Sequence, residues 1–90
     1  MGAYKDMNIE YSKKAVKIIN RLDIITKQRI RQSINDLPDG DIKRLAGQIN
    51  TWRLRVGDWR ILFSYPEYPN KDIILVEKVA PRGQIYKEGL

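Results

Sequence analysis

The stretch from Thr51 to Phe63, TWRLRVGDWRILF, is the feature that most constrains the fold. Large apolar residues alternate with other residues on both sides of a Gly57-Asp58 pair, as in two antiparallel strands joined by a tight turn. Alternate residues of a strand point to opposite faces, so the arginines should lie away from the core. The residues predicted to face the core are Trp52, Leu54, Val56, Trp59, Ile61 and Phe63.

The turn also predicts the register of the hairpin. With a two-residue turn at 57–58, Arg55 pairs with Arg60, and Arg53 pairs with Leu62; a four-residue loop keeps the same pairs. Directly paired β carbons lie about 4.5–5.5 Å apart, so two guanidinium groups at these positions repel each other. Two interpretations remain open: both side chains extend into water, or an acidic partner or anionic ligand neutralises them.

The rest of the chain predicts an α+β domain. Residues 7–11 are typical of a first strand, Ser12 and Asp23 are N-caps of two helices, and residues 72–80 are typical of a central strand. Two helices joined this tightly predict a hairpin. The predicted buried residues of the helices are Ala15, Ile18, Ile19, Leu22, Ile30, Ile34 and Leu37. We therefore expect an N-terminal strand and a two-helix hairpin packed on a mainly antiparallel sheet of about four strands.

The segment between the second helix and the hairpin carries a weaker signal. We expect Ile42 and Leu45 to pack under this connection, and we interpret the basic pair Lys43 and Arg44 as a solvated helix end. An RNA contact is the alternative function for this basic pair.

Composition limits the classes of function. The 90 residues predict one domain at 7–90, preceded by an N-terminal extension or cloning remnant at 1–6. The net charge of +6 favours a polyanionic partner. Cysteine and histidine are absent, which excludes disulfides, zinc–thiolate sites and a histidine base. Without an apolar span or leader, we expect a cytoplasmic protein that does not contact membranes and needs neither metal nor cofactor.

Two further residues extend the arginine pattern. Arg82 follows the last predicted strand, and Tyr86 comes one helical turn later. If the last strand neighbours the hairpin, Arg82 can reach the surface that carries Arg53, Arg55 and Arg60. Arginine is always charged and offers paired donors that match a phosphate group. Such a cluster favours phosphodiester binding and stabilisation of a more negative transition state.

The run KRLAGQINTWRLRVGDWRILF, followed by a strand and then APRGQIY, resembles the RelE/ParE superfamily of bacterial toxins from toxin–antitoxin pairs. The order of strand, two helices and three strands is also that of the family, and the resemblance covers about residues 7–88. The residues that carry it are Leu45, Gly47, Trp52, Arg53, Leu54, Arg55, Gly57, Asp58, Trp59, Arg60, Arg82 and Tyr86.

Resemblance to the RelE branch implies a ribosome-dependent endoribonuclease that cleaves messenger RNA in the A site by attack of the ribose 2′-hydroxyl. The catalytic residues implied are Arg55, Arg60, Arg82 and Tyr86, and Arg53 and Arg55 match the basic strand positions of the family. Together with the basic pair Lys43 and Arg44, Arg53 and Arg55 are the predicted RNA-binding residues. Some relatives have lysine where this chain has Arg53 and Arg55, and many have histidine where it has Pro81. Since arginine does not trade protons, Tyr86 is the candidate base, with a phenol pKa lowered by the surrounding positive charge.

The resemblance also implies partners: a RelB-like antitoxin in a hetero-oligomer, the ribosome and messenger RNA. Two alternatives use the same fold. One is a ParE-like inhibitor of DNA gyrase, and the other is a non-catalytic relative that binds an antitoxin or nucleic acid.

Overall fold

The computed structural model describes residues 8–84, in which two helices pack on one face of a five-stranded sheet. In chain order the elements are β1 (Asn8–Tyr11), α1 (Lys13–Asn20), α2 (Ile24–Asn35), β2 (Asp41–Arg44), β3 (Trp52–Val56), β4 (Trp59–Ser64) and β5 (Ile73–Pro81). The predicted N-terminal extension, Met7 of the predicted first strand, and everything after Gln84 lie outside the described residues.

Both helices begin at the predicted caps. The Ser12 hydroxyl accepts a hydrogen bond from the Ala15 backbone at 3.0 Å, and the Asp23 carboxylate accepts one from the Thr26 backbone at 3.0 Å. Each cap satisfies a backbone donor that has no partner within its own helix. Hydrogen bonds from the Thr26 side chain and, second, from its backbone N–H lower the pKa of Asp23, because they stabilise the charged carboxylate.

The sheet has the strand order β1-β5-β4-β3-β2. Strand β1 runs parallel to β5, and the other neighbouring pairs are antiparallel. Helix α1 packs mainly against β5, and α2 packs against β3. Five of the seven residues predicted to be buried in the helical region are buried in the core: Ala15, Ile19, Ile30, Ile34 and Leu37. The other two, Ile18 and Leu22, are partly buried and pack against it. The two tryptophans are partly buried against the same core, as predicted.

Strand β2 corrects the expectation for Lys43 and Arg44. These residues do not end a helix but belong to an edge strand that pairs with β3, with Lys43 opposite Arg53 and Arg44 opposite Trp52. The sheet therefore has five strands, the predicted four plus β2. Ile42 packs against the core from this strand. None of the helices in residues 8–84 is long and apolar enough to cross a membrane.

Candidate nucleic-acid interface

The hairpin has the predicted register. Arg55 lies opposite Arg60, and Arg53 lies opposite Leu62. The turn has a positive φ of 58° at Gly57, and no described non-glycine residue has a positive φ, which is the pattern of a type II′ turn. The arginines of β3 and β4 thus share the sheet face turned away from the helices. We call this surface, with Lys43, Arg53, Arg55 and Arg60, the basic face.

Asp41 offsets part of the positive charge of Arg53 and Arg55. Its carboxylate lies opposite Arg55 in the register, with Oδ1 3.2 Å from Arg53 Nη2 and Oδ2 3.8 Å from Arg55 Nη1. Among the described residues, it is the acid within ion-pair distance of these two guanidinium groups. Asp41 was not predicted as a site residue, because β2 has four residues with one apolar side chain, Ile42, and so carries too weak a strand signal.

Arg60 is held differently. Its Nη1 donates to the carbonyl of Gly57 at 2.8 Å and to that of Trp59 at 3.0 Å. These bonds keep the Arg60 guanidinium at the turn. The repulsion between Arg55 and Arg60 is therefore relieved within the chain itself, by a carboxylate on one side and by turn carbonyls on the other.

The centre of the basic face is apolar and closed. Leu62 is fully buried there, packed with Ala80 and with Leu45 from the segment that follows β2. Lys78 pairs with Leu62 in the register and is 9% exposed, which adds a basic residue that the sequence analysis missed. Its position follows from the pairing of β4 with β5. The register shifts between Leu62 and Phe63, so this pairing cannot be predicted by counting residues along the two strands. The arginines of β3 and β4 thus lie on a packed sheet and not on a loop.

Arg82 lies at the turn end of the basic face. Its backbone N–H donates to the Asp58 carbonyl at 2.6 Å, and the preceding residues of β5 pair with β4, with Pro81 opposite Trp59 and Ala80 opposite Arg60. The last strand therefore neighbours the hairpin, as the sequence analysis required. Tyr86 lies outside the described residues.

Arg44 is separated from the other predicted RNA-binding residues. It lies on the helix side of β2, where its guanidinium carbon is 4.6 Å from the centre of the Trp52 ring and its Nη2 donates to the Tyr68 hydroxyl at 3.2 Å. Lys71 lies over the same tryptophan at 5.8 Å and over Tyr65 at 5.5 Å. These cation–π contacts tie the edge strand to the loop after β4.

The chemistry available on the basic face is electrostatic. Burial raises the pKa of Tyr65 and of Tyr11, the latter against a smaller opposing effect of Arg31, and both phenols belong to the core side. They are therefore poorly placed to accept a proton from a ligand on the basic face. Within residues 8–84, no cluster of three or more acidic side chains could hold a metal ion.

A cleft of about 480 Å³ lies between α1 and the end of β5, lined by apolar residues such as Ile18, Leu22 and Trp59 and by basic residues of α1. None of the predicted site residues within residues 8–84 lines it. The arginines instead lie on an open surface, which suits an extended polymer better than a small enclosed ligand.

Solved structures with a similar fold include RelE toxins. The chain is similar to the toxin of the Methanococcus jannaschii RelB–RelE complex, with 26% identity, a TM-score of 0.70, and coverage of 90% of this chain and 99% of that one. It is also similar to a chain of the RelE–RelB complex of Pyrococcus horikoshii, with 25% identity, a TM-score of 0.68, and coverage of 88% of this chain and 98% of that one. The isolated Escherichia coli RelE toxin has the same fold at 11% identity, with a TM-score of 0.67 and 84% of each chain covered.

No protein-family model matches the sequence, and no curated protein is significantly similar to it. The assignment therefore depends on three-dimensional similarity, which extends over most of both chains. The architecture of two helices packed on a five-stranded mixed sheet agrees with it. The chain has the fold of the RelE toxins.

Proposed function

We propose that this chain is the toxin of a type II toxin–antitoxin pair and that it cleaves messenger RNA on the ribosome. The observation that carries the proposal is the basic face, where Arg53, Arg55 and Arg60 lie on paired strands with Arg82 at the adjacent turn. Structural similarity to the RelE proteins of two RelB–RelE complexes supports the toxin–antitoxin part of this proposal. In the cytoplasm, the expected location, messenger RNA is accessible to such a surface.

The arginines would act on the phosphate group. Attack of a ribose 2′-hydroxyl forms a bond from O2′ to phosphorus and breaks the bond to the next nucleotide's O5′, and negative charge increases at the phosphate on the way. Guanidinium groups next to the phosphate stabilise that charge. Arg55, Arg60 and Arg82 would take this role, while Arg53 and Lys43 bind the flanking backbone.

Proton transfer needs another group. Arginine remains charged and cannot accept the proton of the 2′-hydroxyl. Tyr86 is the proposed base, since it is the tyrosine that follows Arg82 by one helical turn in the sequence. The ribosome would align the RNA. Cleavage would then depend more on the positive surface of the toxin than on a strong base.

The proposed partner is an antitoxin. Two of the similar structures are complexes of RelE with RelB, which supports a RelB-like antitoxin for this chain. An acidic or amphipathic antitoxin would complement the net charge of +6. Co-expression with the product of a small neighbouring gene should restore growth, and the two proteins should purify together as a hetero-oligomer.

Toeprinting of translating ribosomes tests the proposal. Wild-type protein should cut the messenger in the A site, whereas an Arg82→Ala/Tyr86→Phe double variant should not. Arg31→Ala is a matched control, because it removes a charge from α2 on the opposite side of the sheet. Equal cleavage by the wild type and the double variant would contradict the proposal. Intact messenger together with inhibition of gyrase supercoiling would favour the ParE-like alternative.

A further inference from the structure

The Asp41 carboxylate occupies the position on the basic face where an anionic ligand would bind. Its two oxygens face two different guanidinium groups, at 3.2 Å from Arg53 Nη2 and 3.8 Å from Arg55 Nη1. Paired oxygens facing arginine donors also describe a bound phosphodiester, because carboxylate and phosphate present similar acceptor geometry to arginine.

Arg53 is well prepared for an anion. Its side chain is only 17% exposed, and its Nε is buried without a hydrogen-bond partner among the described residues. Arg55, in contrast, is 55% exposed and contacts Asp41 at the longer distance. The pair therefore combines one guanidinium held in the surface with one that can turn towards a ligand.

Asp41 is held much less firmly than Arg53. Its side chain is 54% exposed, and it begins β2, which among the strands of residues 8–84 lies at the edge of the sheet next to β3. Exposed ion pairs are weak because water and salt screen them. A phosphate that approaches Arg53 and Arg55 would repel the carboxylate, and solvent is available to receive it.

We propose that Asp41 is an internal competitor for the phosphate site of Arg53 and Arg55, and that it sets the affinity of the basic face for RNA. The proposal rests on the proposed function in taking RNA as the ligand. In the free protein the carboxylate offsets part of the positive charge of the two arginines and so limits non-specific binding to polyanions. An RNA backbone must displace the Asp41 carboxylate to bind. This requirement favours RNA whose phosphate is already aligned with Arg53 and Arg55 over RNA that meets the surface in other orientations.

The Asp41→Asn variant tests this proposal. Its amide keeps the shape of the side chain and removes the charge. The probe is a short, fluorescently labelled single-stranded RNA, and anisotropy measures its dissociation constant at several salt concentrations. We expect binding to tighten about fivefold in 0.1 M salt, as loss of a weak competing ion pair implies. The slope of log K against log salt should steepen by about 0.7 if one more phosphate is engaged.

Glu10→Gln is the matched control. It makes the same change in net charge on β1, four strand spacings or about 19 Å from β2, which exceeds the screening length in 0.1 M salt of about 10 Å. This variant should bind the RNA like the wild type. Asp41→Ala provides a second variant without any acceptor, and it should tighten binding as well. Urea unfolding of each variant checks that the fold is retained.

Binding by Asp41→Asn that is equal to or weaker than binding by Glu10→Gln would overturn the proposal. Weaker binding would mean that Asp41 positions the arginines for RNA, and absence of RNA binding by all variants at low salt would equally overturn it. The assay contains no ribosome and requires no cleavage. If ribosomal cleavage fails while Asp41→Asn still tightens RNA binding, the proposed function is wrong and the competitor role stands.

Discussion

Replacement of Arg55 by glutamine should separate binding from stability. Two opposing interactions of Arg55 disappear together: the ion pair with Asp41 at 3.8 Å and the repulsion from Arg60 on the paired strand. An exposed ion pair contributes about 0.2–1 kcal/mol, and a facing like-charge pair costs a similar amount. We therefore expect the free energy of unfolding to change by no more than about 0.5 kcal/mol.

The same substitution should weaken RNA binding in a salt-dependent way. Loss of one phosphate contact reduces the slope of log K against log salt by about 0.7 for single-stranded RNA. Fluorescence anisotropy over a series of salt concentrations measures this slope, and urea denaturation measures stability. Arg31→Gln, on α2 at the other face of the sheet, makes the same change in charge and should leave the slope near that of the wild type.

Two results would refute this reasoning. A loss of stability well above 1 kcal/mol in Arg55→Gln would mean that the ion pair with Asp41 outweighs the repulsion, so that the arginine serves the fold. A slope equal to that of Arg31→Gln would mean that Arg55 does not contact the RNA backbone.

Three further predictions concern the stability of the fold. Leu62→Ala should lower the free energy of unfolding by about 2–4 kcal/mol in urea denaturation, because this fully buried side chain fills the apolar centre; a loss below 1 kcal/mol would contradict that. Ser12→Ala should cost about 1–2 kcal/mol, since the hydroxyl caps α1 and donates to the Glu77 carbonyl at 2.7 Å, and an unchanged urea midpoint would contradict it. Burial raises the pKa of Tyr65, so the folded state keeps this proton longer than the unfolded state; stability should fall as pH rises above about 10, and less so in Tyr65→Phe. An equal alkaline loss in both proteins would contradict this role of Tyr65.

Local sequence signals were enough to predict the helices and the hairpin. Ser12 and Asp23 each precede an amphipathic run, and both cap a helix. The Gly57-Asp58 pair fixed the register, so the opposition of Arg55 and Arg60 was predicted correctly. These features depend on residues close together in the sequence, where backbone geometry leaves few alternatives.

The features that were missed depend on distant pairing. Strand β2 has four residues and only one apolar side chain, Ile42, so its periodicity is too short to indicate a strand. Its formation depends on the hydrogen bonds that β3 offers. Without β2, the sequence gives no reason to place Asp41 beside Arg53 and Arg55. Leu62 likewise packs with Leu45, which lies outside the hairpin in the sequence.

Chemical-shift mapping by NMR with a short single-stranded RNA tests most directly whether the basic face binds the RNA backbone. We predict that the largest changes occur at the guanidinium groups and backbone amides of Arg53, Arg55 and Arg60, and that they disappear at high salt. Changes confined to α1 and α2, with the arginine signals unmoved, would contradict the account.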